Sequence, residues 1–434
     1  MTQDSLQFVR TEMLPPQAPP SSQVGAIRWA RENLFSGWAN SALTLISLFF
    51  IARFVADVGP WFLHTVWSAD SLNQCREVLK TDYGPDVGGA CFAVIRDRWH
   101  QLLFGFYPDD AYWRPVLTLV LMLVAFAPIL FSHLPRKLLW FSAIYPGLAF
   151  FLLWGGSFWF PFVAMAGFAV GGVAVRLTID RSTVLGAVSG IAAALIWWFF
   201  IAGPVDEFLQ SVVPVGLPFV KSSDFGGFLL SIIIGITGIS LSLPLGILLA
   251  LGRMSDMPLV KYSSIWFIEF IRGVPLITLL FTASLLLNYF LPPGTNFDLI
   301  LRVVIMVTLF ASAYIAEVIR GGLAALPRGQ FEAADALGLD YWKAQRLIIM
   351  PQALKISIPG IVNTFIGLFK DTTLVVFIGL LDPIGLVSAI RASTDWNGIY
   401  WELFIFVGAL FFIFCYSMSR YSMYLERKLK TDHR

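Results

Sequence analysis

One polar segment in the second half of the chain carries residues spaced like a docking element. A carboxylate falls in the first turn of a short predicted helix, where the helix dipole favours it, and a glycine falls where that helix would end. The residues of the pattern are Glu332, Ala333, Ala334, Gly338, Leu339, Trp342, Ile348, Met350 and Pro351. An ordered polar loop of this length in an apolar chain indicates a partner that docks on it, although an ordinary surface helix would have a similar composition.

A second group of polar residues interrupts an apolar stretch. Lys370, Asp371, Thr372 and Thr373 follow one another, and Asn363 precedes them by two helical turns. Charge inside a membrane span costs roughly 2.5–3.5 kcal/mol on insertion scales, so such residues usually line a path or pair with each other. Lys370 would hold a substrate carboxylate with Asn363 and the threonines as hydrogen-bonding support, or it would pair internally with Asp371.

Arg272 is a further candidate for contact with a substrate carboxylate. It lies one turn after Glu269, with which it can form an ion pair. Gly273 and Pro275 follow at once and should interrupt the helix, freeing backbone carbonyls to face a cavity. A structural ion pair and a substrate contact are both open at this position.

Composition sets the class of protein. The chain has 434 residues, of which 57% are apolar and only 13% charged, and its mean hydropathy is +0.74. So little charge cannot cover a water-soluble fold, so the lipid bilayer must be its solvent. The net charge of +2 argues against a nucleic-acid partner. The fold class expected is an all-α polytopic membrane protein.

Hydropathy predicts about ten membrane spans. They lie at about 41–62, 115–132, 138–156, 158–175, 184–202, 228–251, 264–291, 299–320, 355–380 and 401–423. The third and fourth are separated only by Gly155-Gly156-Ser157, so one span with a re-entrant piece is the alternative there. Lysine and arginine collect on one side, which the positive-inside rule makes cytoplasmic. Both termini and the polar segment at 328–351 then lie inside, and the loop 63–114 lies outside.

The cysteines and histidines indicate little chemistry. Cys75 and Cys91 share the outer loop and would form a disulfide there, or remain two free thiols; spacing alone leaves both open. Cys415 falls in a late apolar helix and is expected to pack there. The four histidines are far apart in sequence, so no metal site is predicted.

The second half of the chain resembles ABC importer permeases of the polar amino acid subgroup. The segments that carry the resemblance are Phe270–Leu276, Glu317–Gly322, Glu332–Pro351 and Leu368–Leu374. The third is similar to the EAA loop of that family, with Met350 in place of the usual Leu, and Val274 replaces a common Thr. The long extension before residue 224 resembles that of the general L-amino acid and glutamate/glutamine/aspartate/asparagine permeases of alphaproteobacteria.

The resemblance implies an architecture and a function. The expected domains are a cytoplasmic tail and elbow helix at 1–40, an extension of about five spans at 41–223, and a five-span type I permease core at 224–434. The chain would be one permease of a heterodimer in a bacterial inner membrane. It would serve two ABC ATPase subunits and a periplasmic amino-acid-binding protein, and would import glutamate, glutamine, aspartate, asparagine or a broader range of L-amino acids.

Energy for such transport has to come from the partners. The chain has no Gly-Lys dipeptide and therefore no phosphate-binding loop of the G-x4-G-K-[ST] type. It is expected to be no enzyme itself and to bind no cofactor, with ATP and Mg²⁺ in the partner ATPase. An ion-coupled secondary carrier, with Lys370-Asp371 as a proton relay, is one alternative. A structural subunit whose partner holds the substrate site is another.

Overall fold

The fold is built almost entirely of helices. The computed structural model describes residues 25–85, 87–131, 133–286 and 298–429. Within these, strands occur as two pairs of two residues each: β1 Thr65–Val66 parallel to β2 Ala90–Cys91, and β3 Gly156–Ser157 antiparallel to β4 Gly216–Leu217. The predicted all-α membrane architecture is confirmed, because these pairs only fasten loop ends.

The smaller of two compact units contains residues 25–69 and 73–93. Its helices are α1 Gly25–Asn33, α2 Trp38–Leu63 and α3 Leu72–Tyr83, the last beginning one residue before the unit resumes. No residue of α2 is buried within the chain, and large apolar side chains such as Phe49 and Phe54 are about two-thirds exposed. Such a largely apolar surface suits lipid. The first 24 residues of the tail predicted at 1–40 lie outside the described residues.

The larger unit contains residues 70–72 and 94–429. Its first helices are α4 Ala93–Phe104, α5 Trp113–Leu130, α6 Leu139–Trp154, α7 Trp159–Thr178, α8 Thr183–Ile196 and α9 Ala202–Val212. Short 3-10 turns precede α5 and α6, at Asp109–Ala111 and Arg136–Leu138, and a π-helical turn at Trp197–Ile201 joins α8 to α9. Helices α6 and α7 are separate, so the third and fourth predicted spans are two helices.

The later helices carry the candidate site residues. They are α10 Gly227–Arg253, α11 Pro258–Gly273, α12 Leu276–Phe281, α13 Leu299–Ala324, α14 Arg328–Ala336, α15 Tyr341–Ala344, α16 Met350–Asp371, α17 Pro383–Arg391 and α18 Trp401–Leu429. Turns of π-helix extend α12 at Thr282–Leu286 and join α15 to α16 at Gln345–Ile349. A 3-10 segment, Thr372–Ile378, prolongs α16, and another, Ser222–Asp224, precedes α10.

The number of spans agrees with the prediction. In the described residues nine helical segments are long and apolar enough to cross a membrane, and a bent pair of helices brings the number to ten. The bent pair is α11 with α12 and its π-helical extension, which meet at an angle of 102°. The break falls at Val274-Pro275, as Gly273 and Pro275 predict. Residues 287–291 of the predicted seventh span lie outside the described part of the chain.

The core of the second half forms where α10 and α13 pack along their lengths. A Cβ added at Gly246 of α10 would clash with the Ile315 side chain of α13, so the glycine permits the close approach. Buried apolar side chains such as Ile234, Val307 and Ile319 fill the contact from end to end. This pair is the frame that holds the candidate residues.

The N-terminal end of α10 is fastened to the segment that follows α4. The Phe106 N–H donates to the Asp224 carbonyl at 3.1 Å, and a Cβ added at Gly105 would collide with the Gly226 backbone. The Phe225 ring is 2% exposed and lies 4.5 Å from the Trp154 ring and 5.4 Å from the Tyr107 ring, centroid to centroid. The helices before residue 224 and those after it therefore share one packed junction.

Candidate functional site

The segment predicted to dock a partner is a helix that ends at a left-handed glycine. Helix α14 starts after Pro327, and Gly338 has φ +66°. The Gly338 N–H donates to the Asp335 carbonyl at 2.9 Å, and the Leu339 N–H to the Ala334 carbonyl at 3.2 Å. These two bonds form a Schellman motif. The prediction that Gly338 ends the helix is confirmed.

The two neighbouring alanines of this segment, Ala333 and Ala334, face opposite ways. Ala334 is 1% exposed and packs inward, whereas Glu332 and Ala333 are exposed. Large apolar side chains on the same segment also face out, with Leu337 72% and Trp342 64% exposed. An exposed apolar patch on a polar segment is typical of a surface that a partner covers.

A second short helix follows the turn. Asp340 caps α15, accepting from the Lys343 N–H at 2.9 Å, and its carboxylate also lies 2.9 Å from the Lys343 ammonium. The Lys343 side chain holds the pKa of the Asp340 carboxyl below its usual range. Gly338 reverses the chain, and Trp342 belongs to the next helix.

Two connections tie this helical hairpin to the membrane helices. Only three residues separate the end of α13 from the start of α14. On the other side, the Gln352 side-chain amide of α16 donates to the Gln330 side-chain oxygen of α14 at 2.9 Å. Pro351 is the second residue of α16 and is exposed, while Met350 beside it is 9% exposed. Helix α14 is therefore attached to two membrane helices, α13 and α16.

Arg272 lies in a cluster of five charged side chains from α10, α11 and α13. Its guanidinium is 3.6 Å from Glu317 and 3.9 Å from Glu269. Arg253 lies 3.2 Å from Glu317 and 2.7 Å from Glu269, and Arg320 lies 3.1 Å from Glu317. The Arg272 guanidinium also lies 5.6 Å from the centre of the Tyr314 ring. These contacts engage the Arg272 guanidinium. The structural ion pair therefore accounts for the charge at this position.

The sequence did not reveal how this cluster is assembled. Arg253 and Glu317 are more than sixty residues apart in the chain and lie on different helices. The signal available was charge at the ends of apolar spans, which indicates pairing but not the partner. The Glu317 side chain, 15% exposed, joins all three arginines.

The candidates on α16 differ in their surroundings. The Thr372 and Thr373 hydroxyls donate to the Phe369 and Lys370 carbonyls, at 2.7 and 2.9 Å, and Thr372 is only 1% exposed. Lys370 is exposed, and within the described ranges its ammonium has no ion pair, whether with Asp371 or with another carboxylate. The internal pair considered for Lys370 and Asp371 is not formed.

Asn363 and Lys370 share one face of α16. They are seven residues apart, as are Ile356 and Asn363, and all three are exposed. Residues at this spacing lie on the same side of a helix. α16 continues into a 3-10 segment after Asp371, so the predicted irregularity at Lys370–Thr373 is a change of helix type. Helix α16 therefore presents one exposed face that carries Ile356, Asn363 and Lys370.

Cys75 and Cys91 form a disulfide, with their Cα atoms 6.1 Å apart. It joins α3 to β2, and both sulfur-bearing residues are buried. The free-thiol alternative therefore does not apply to them. Among the described residues, no group of three or more potential ligands is placed to hold a metal ion.

Comparison with known proteins identifies the family. Residues 242–431 match the family described as binding-protein-dependent transport system inner membrane component. The chain is 62% identical over 429 residues to the glutamate/glutamine/aspartate/asparagine transport system permease protein BztC of Rhodobacter capsulatus, covering 98% of this chain and 99% of the relative. It is 38% identical to the inner membrane amino-acid ABC transporter permease protein YhdY of Escherichia coli K12, covering 96% of both chains.

Among solved structures, a chain of an amino acid ABC transporter crystallised with histidines is 31% identical, with a TM-score of 0.41 over 46% of this chain and 90% of that chain. BztC and YhdY each align with this chain over nearly their whole lengths. The protein therefore belongs to the inner-membrane permease components of binding-protein-dependent ABC transporters, and within them to the amino-acid permeases.

Proposed function

We propose that this permease carries glutamate, glutamine, aspartate and asparagine inward across the inner membrane, powered by ATP hydrolysis in partner subunits. The observation that carries the coupling half of the proposal is the exposed α14 helix, which ends in a rigid turn and is tied to two membrane helices. The substrate half is supported by the relative of 62% identity, whose name gives those four amino acids.

The partners proposed are a homologous permease, two ABC ATPase subunits and a periplasmic amino-acid-binding protein. ATP and Mg²⁺ belong to the ATPase, because this chain has no phosphate-binding loop in its sequence. The outward-facing residues Glu332, Ala333, Leu337 and Trp342 offer the ATPase a mixed charged and apolar surface. The second permease would cover the exposed face of α16.

The orientation proposed has both termini in the cytoplasm and residues 63–114 outside, with 224–434 as the permease core. Lysine and arginine distribution supports it. The Cys75–Cys91 disulfide supports it independently, because disulfides persist in oxidising compartments such as the periplasm. In this orientation the loop that carries the disulfide is periplasmic and the segment that contains α14 is cytoplasmic.

Alternating access follows from how α14 is connected. ATP-driven closure of the ATPases would move α14, and the short link to α13 would displace Glu317 relative to Arg253 and Arg272. The Gln330–Gln352 bond would move α16 and Lys370 at the same time. A reoriented pair of helices can expose a site first to one side and then to the other.

In the path, Lys370 is the residue proposed to attract a substrate carboxylate. It is exposed on α16 with no ion pair among the described residues, and Asn363 lies two turns away on the same face. Asp371 is half-buried, and Thr372 and Thr373 shape the end of the α-helix through their bonds to its carbonyls. Arg272 is proposed as a positioning residue, since two carboxylates already hold it.

Glu332→Lys tests the coupling. In proteoliposomes containing the whole complex, it should abolish ATP-driven uptake while the permease still inserts and assembles, because the reversed charge faces the ATPase groove. Glu426→Lys, a change of equal charge near the end of α18, is the matched control and should transport normally. Normal uptake by Glu332→Lys, or uptake that an uncoupler stops while ATP is present, would contradict the proposal.

A further inference from the structure

A cavity of about 780 Å³ opens in the larger unit beside the end of α4. We call it the outer pocket. It is lined by Asp97, Arg98, His100, Gln101, Gly105, Phe106, Tyr107, Pro108, Asp109 and Tyr112. In the sequence these residues fall between α2 and α5, in the loop proposed above to lie outside the membrane. Neither the coupling segment nor the face of α16 includes any of them.

The walls of the outer pocket are held by hydrogen bonds to the loop between α17 and α18 and to α6. The Trp396 indole N–H donates to the Asp97 carboxylate at 2.8 Å, and Trp396 is fully buried. The Tyr107 hydroxyl donates to the Leu153 carbonyl at 2.7 Å. The pocket is therefore pre-formed, and anything bound in it would be fixed relative to the permease core.

The charge of the outer pocket is negative. Arg98 is its one strong cation, and it lies 2.8 Å from the Asp97 carboxylate and 3.8 Å from that of Asp395. Asp109 adds a third carboxylate, for which the described ranges provide no ion pair. The Tyr112 ring lies beside Asp109 and stacks on His100, with ring centres 5.1 Å apart. A carboxylate next to aromatic rings is a suitable site for a cationic group.

This arrangement distinguishes a protein side chain from a free amino acid. A free amino acid carries a carboxylate as well as an ammonium group, so its site needs a cation with spare capacity. Arg98 is already shared between two carboxylates, so the outer pocket recognises positive charge only. A lysine or arginine side chain presented by another protein has this chemistry.

We propose that the outer pocket receives a lysine or arginine side chain of the periplasmic amino-acid-binding protein, with Asp109 as its counter-ion. The inference rests on the proposed function, since it assigns a docking point to a partner proposed there. Charge complementarity carries it, and the rigid attachment of the pocket to Trp396 and Asp224 gives docking a direct connection to the core. Charges of this kind fix the register of an interface and speed association.

The experiment measures how tightly the liganded binding protein associates with the whole complex in nanodiscs of neutral lipid. Asp109→Asn keeps the shape of the side chain and should weaken association about tenfold, and Asp109→Lys should weaken it further. Asp110→Lys is the matched control, because the neighbouring Asp110 does not line the pocket; it should change affinity less than about twofold. A Lys→Glu or Arg→Glu change on the binding protein should restore association with Asp109→Lys.

The outcomes separate this inference from the proposed function. If the wild-type complex neither binds the binding protein nor increases its ATPase rate with it, the proposed function fails and the docking point with it. If the wild type responds but Asp109→Asn binds equally tightly, the docking inference alone is overturned. It is also overturned if free glutamate or glutamine binds the complex without the binding protein and Asp109→Asn removes that binding.

Discussion

The Glu317 carboxylate of α13 lies 3.2 Å from the Arg253 guanidinium at the end of α10. The same carboxylate is 3.6 Å from Arg272, beside the break in the bent helix pair, and 3.1 Å from Arg320. One side chain thus connects the two helices that frame the core with the helix that bends. Its position close to the α13–α14 link makes it the contact most directly strained when α14 moves.

Glu317→Gln should weaken this connection. Three arginines would be left with Glu269 alone, and loss of charged hydrogen bonds costs about 1.5–3 kcal/mol. We expect a lower unfolding temperature of the purified complex and a higher ATPase rate without binding protein. Glu269→Gln is the matched control, since the Glu269 side chain is 53% exposed, and its effect should be smaller. Equal effects of the two changes would contradict the central role of Glu317.

Gly338→Ala should disturb the coupling hairpin through its backbone alone. No atom lies within 4 Å of an added Cβ, but φ is +66°, where a side chain costs about 1–2 kcal/mol. Gly329→Ala, also with open space around it but in a helical turn, is the control. Uptake per ATP hydrolysed should fall for Gly338→Ala only. The same ratio for both variants would show that the turn is not needed for coupling.

Lys370→Gln should raise the KM for acidic substrates more than that for amide substrates. An ammonium with no ion pair among the described residues is suited to the second carboxylate of glutamate or aspartate, which glutamine and asparagine lack. Uptake by proteoliposomes with saturating binding protein measures both. Lys355→Gln, an exposed lysine nearer the start of α16, serves as the comparison. If Lys370→Gln changes neither KM nor rate, the substrate site belongs to the partner permease.

Cys75→Ser or Cys91→Ser should destabilise the smaller unit. The bond closes a loop of 16 residues, for which chain entropy gives about 3 kcal/mol. A membrane-impermeant maleimide added outside intact cells should then label the remaining cysteine after denaturation, and label the wild type only after reduction. All of these chains carry Cys415→Ser, because Cys415, the free cysteine in α18, would otherwise be labelled without reduction. Labelling of the wild type without reduction would show that the bond does not form.

Asp382 should make stability depend on pH. Its carboxylate caps α17, accepting from the Gly385 N–H at 3.0 Å and the Ile384 N–H at 3.2 Å, and burial raises its pKa to about 6. The folded chain then binds the proton more tightly than the unfolded chain, whose carboxyl titrates near 3.9. Stability should therefore fall as pH rises from about 4 to about 6 and stay level above that.

Asp382→Asn keeps a hydrogen-bond acceptor at the cap and should remove that pH dependence. The unfolding temperature of the complex, measured between pH 4.5 and 7.5, should fall with pH for the wild type more than for this variant. Asp110→Asn, at an exposed position, should behave as the wild type does. Parallel curves of unfolding temperature against pH for the wild type and Asp382→Asn would show that Asp382 does not cause the pH dependence.

The structural features that depend only on residues close together in the sequence could be predicted from it. The break at Gly273 and Pro275 and the helix end at Gly338 follow from backbone conformation, and the spans follow from hydropathy. The short helix α15 after that end was not predicted, because the capping role of Asp340 was overlooked. Helix packing decides the rest: Glu317 meets Arg253 because α13 crosses α10, and no spacing in the sequence encodes that crossing.

The outer pocket was missed for the same reason. Asp97 and Trp396 are 299 residues apart, and each is unremarkable among its sequence neighbours. Their contact arises where α4 meets the loop between α17 and α18. The topology of the fold decides which residues so far apart in the chain meet, and hydropathy does not determine that topology.

The junction at Phe225 limits how this permease can be shortened. A truncated version starting at residue 224 would uncover Phe225 and remove the Tyr107 and Trp154 rings packed on it. Burial of such a ring is worth about 1.5–3 kcal/mol. A minimal transporter built from this protein would need a polar replacement at position 225 before it could be expressed alone.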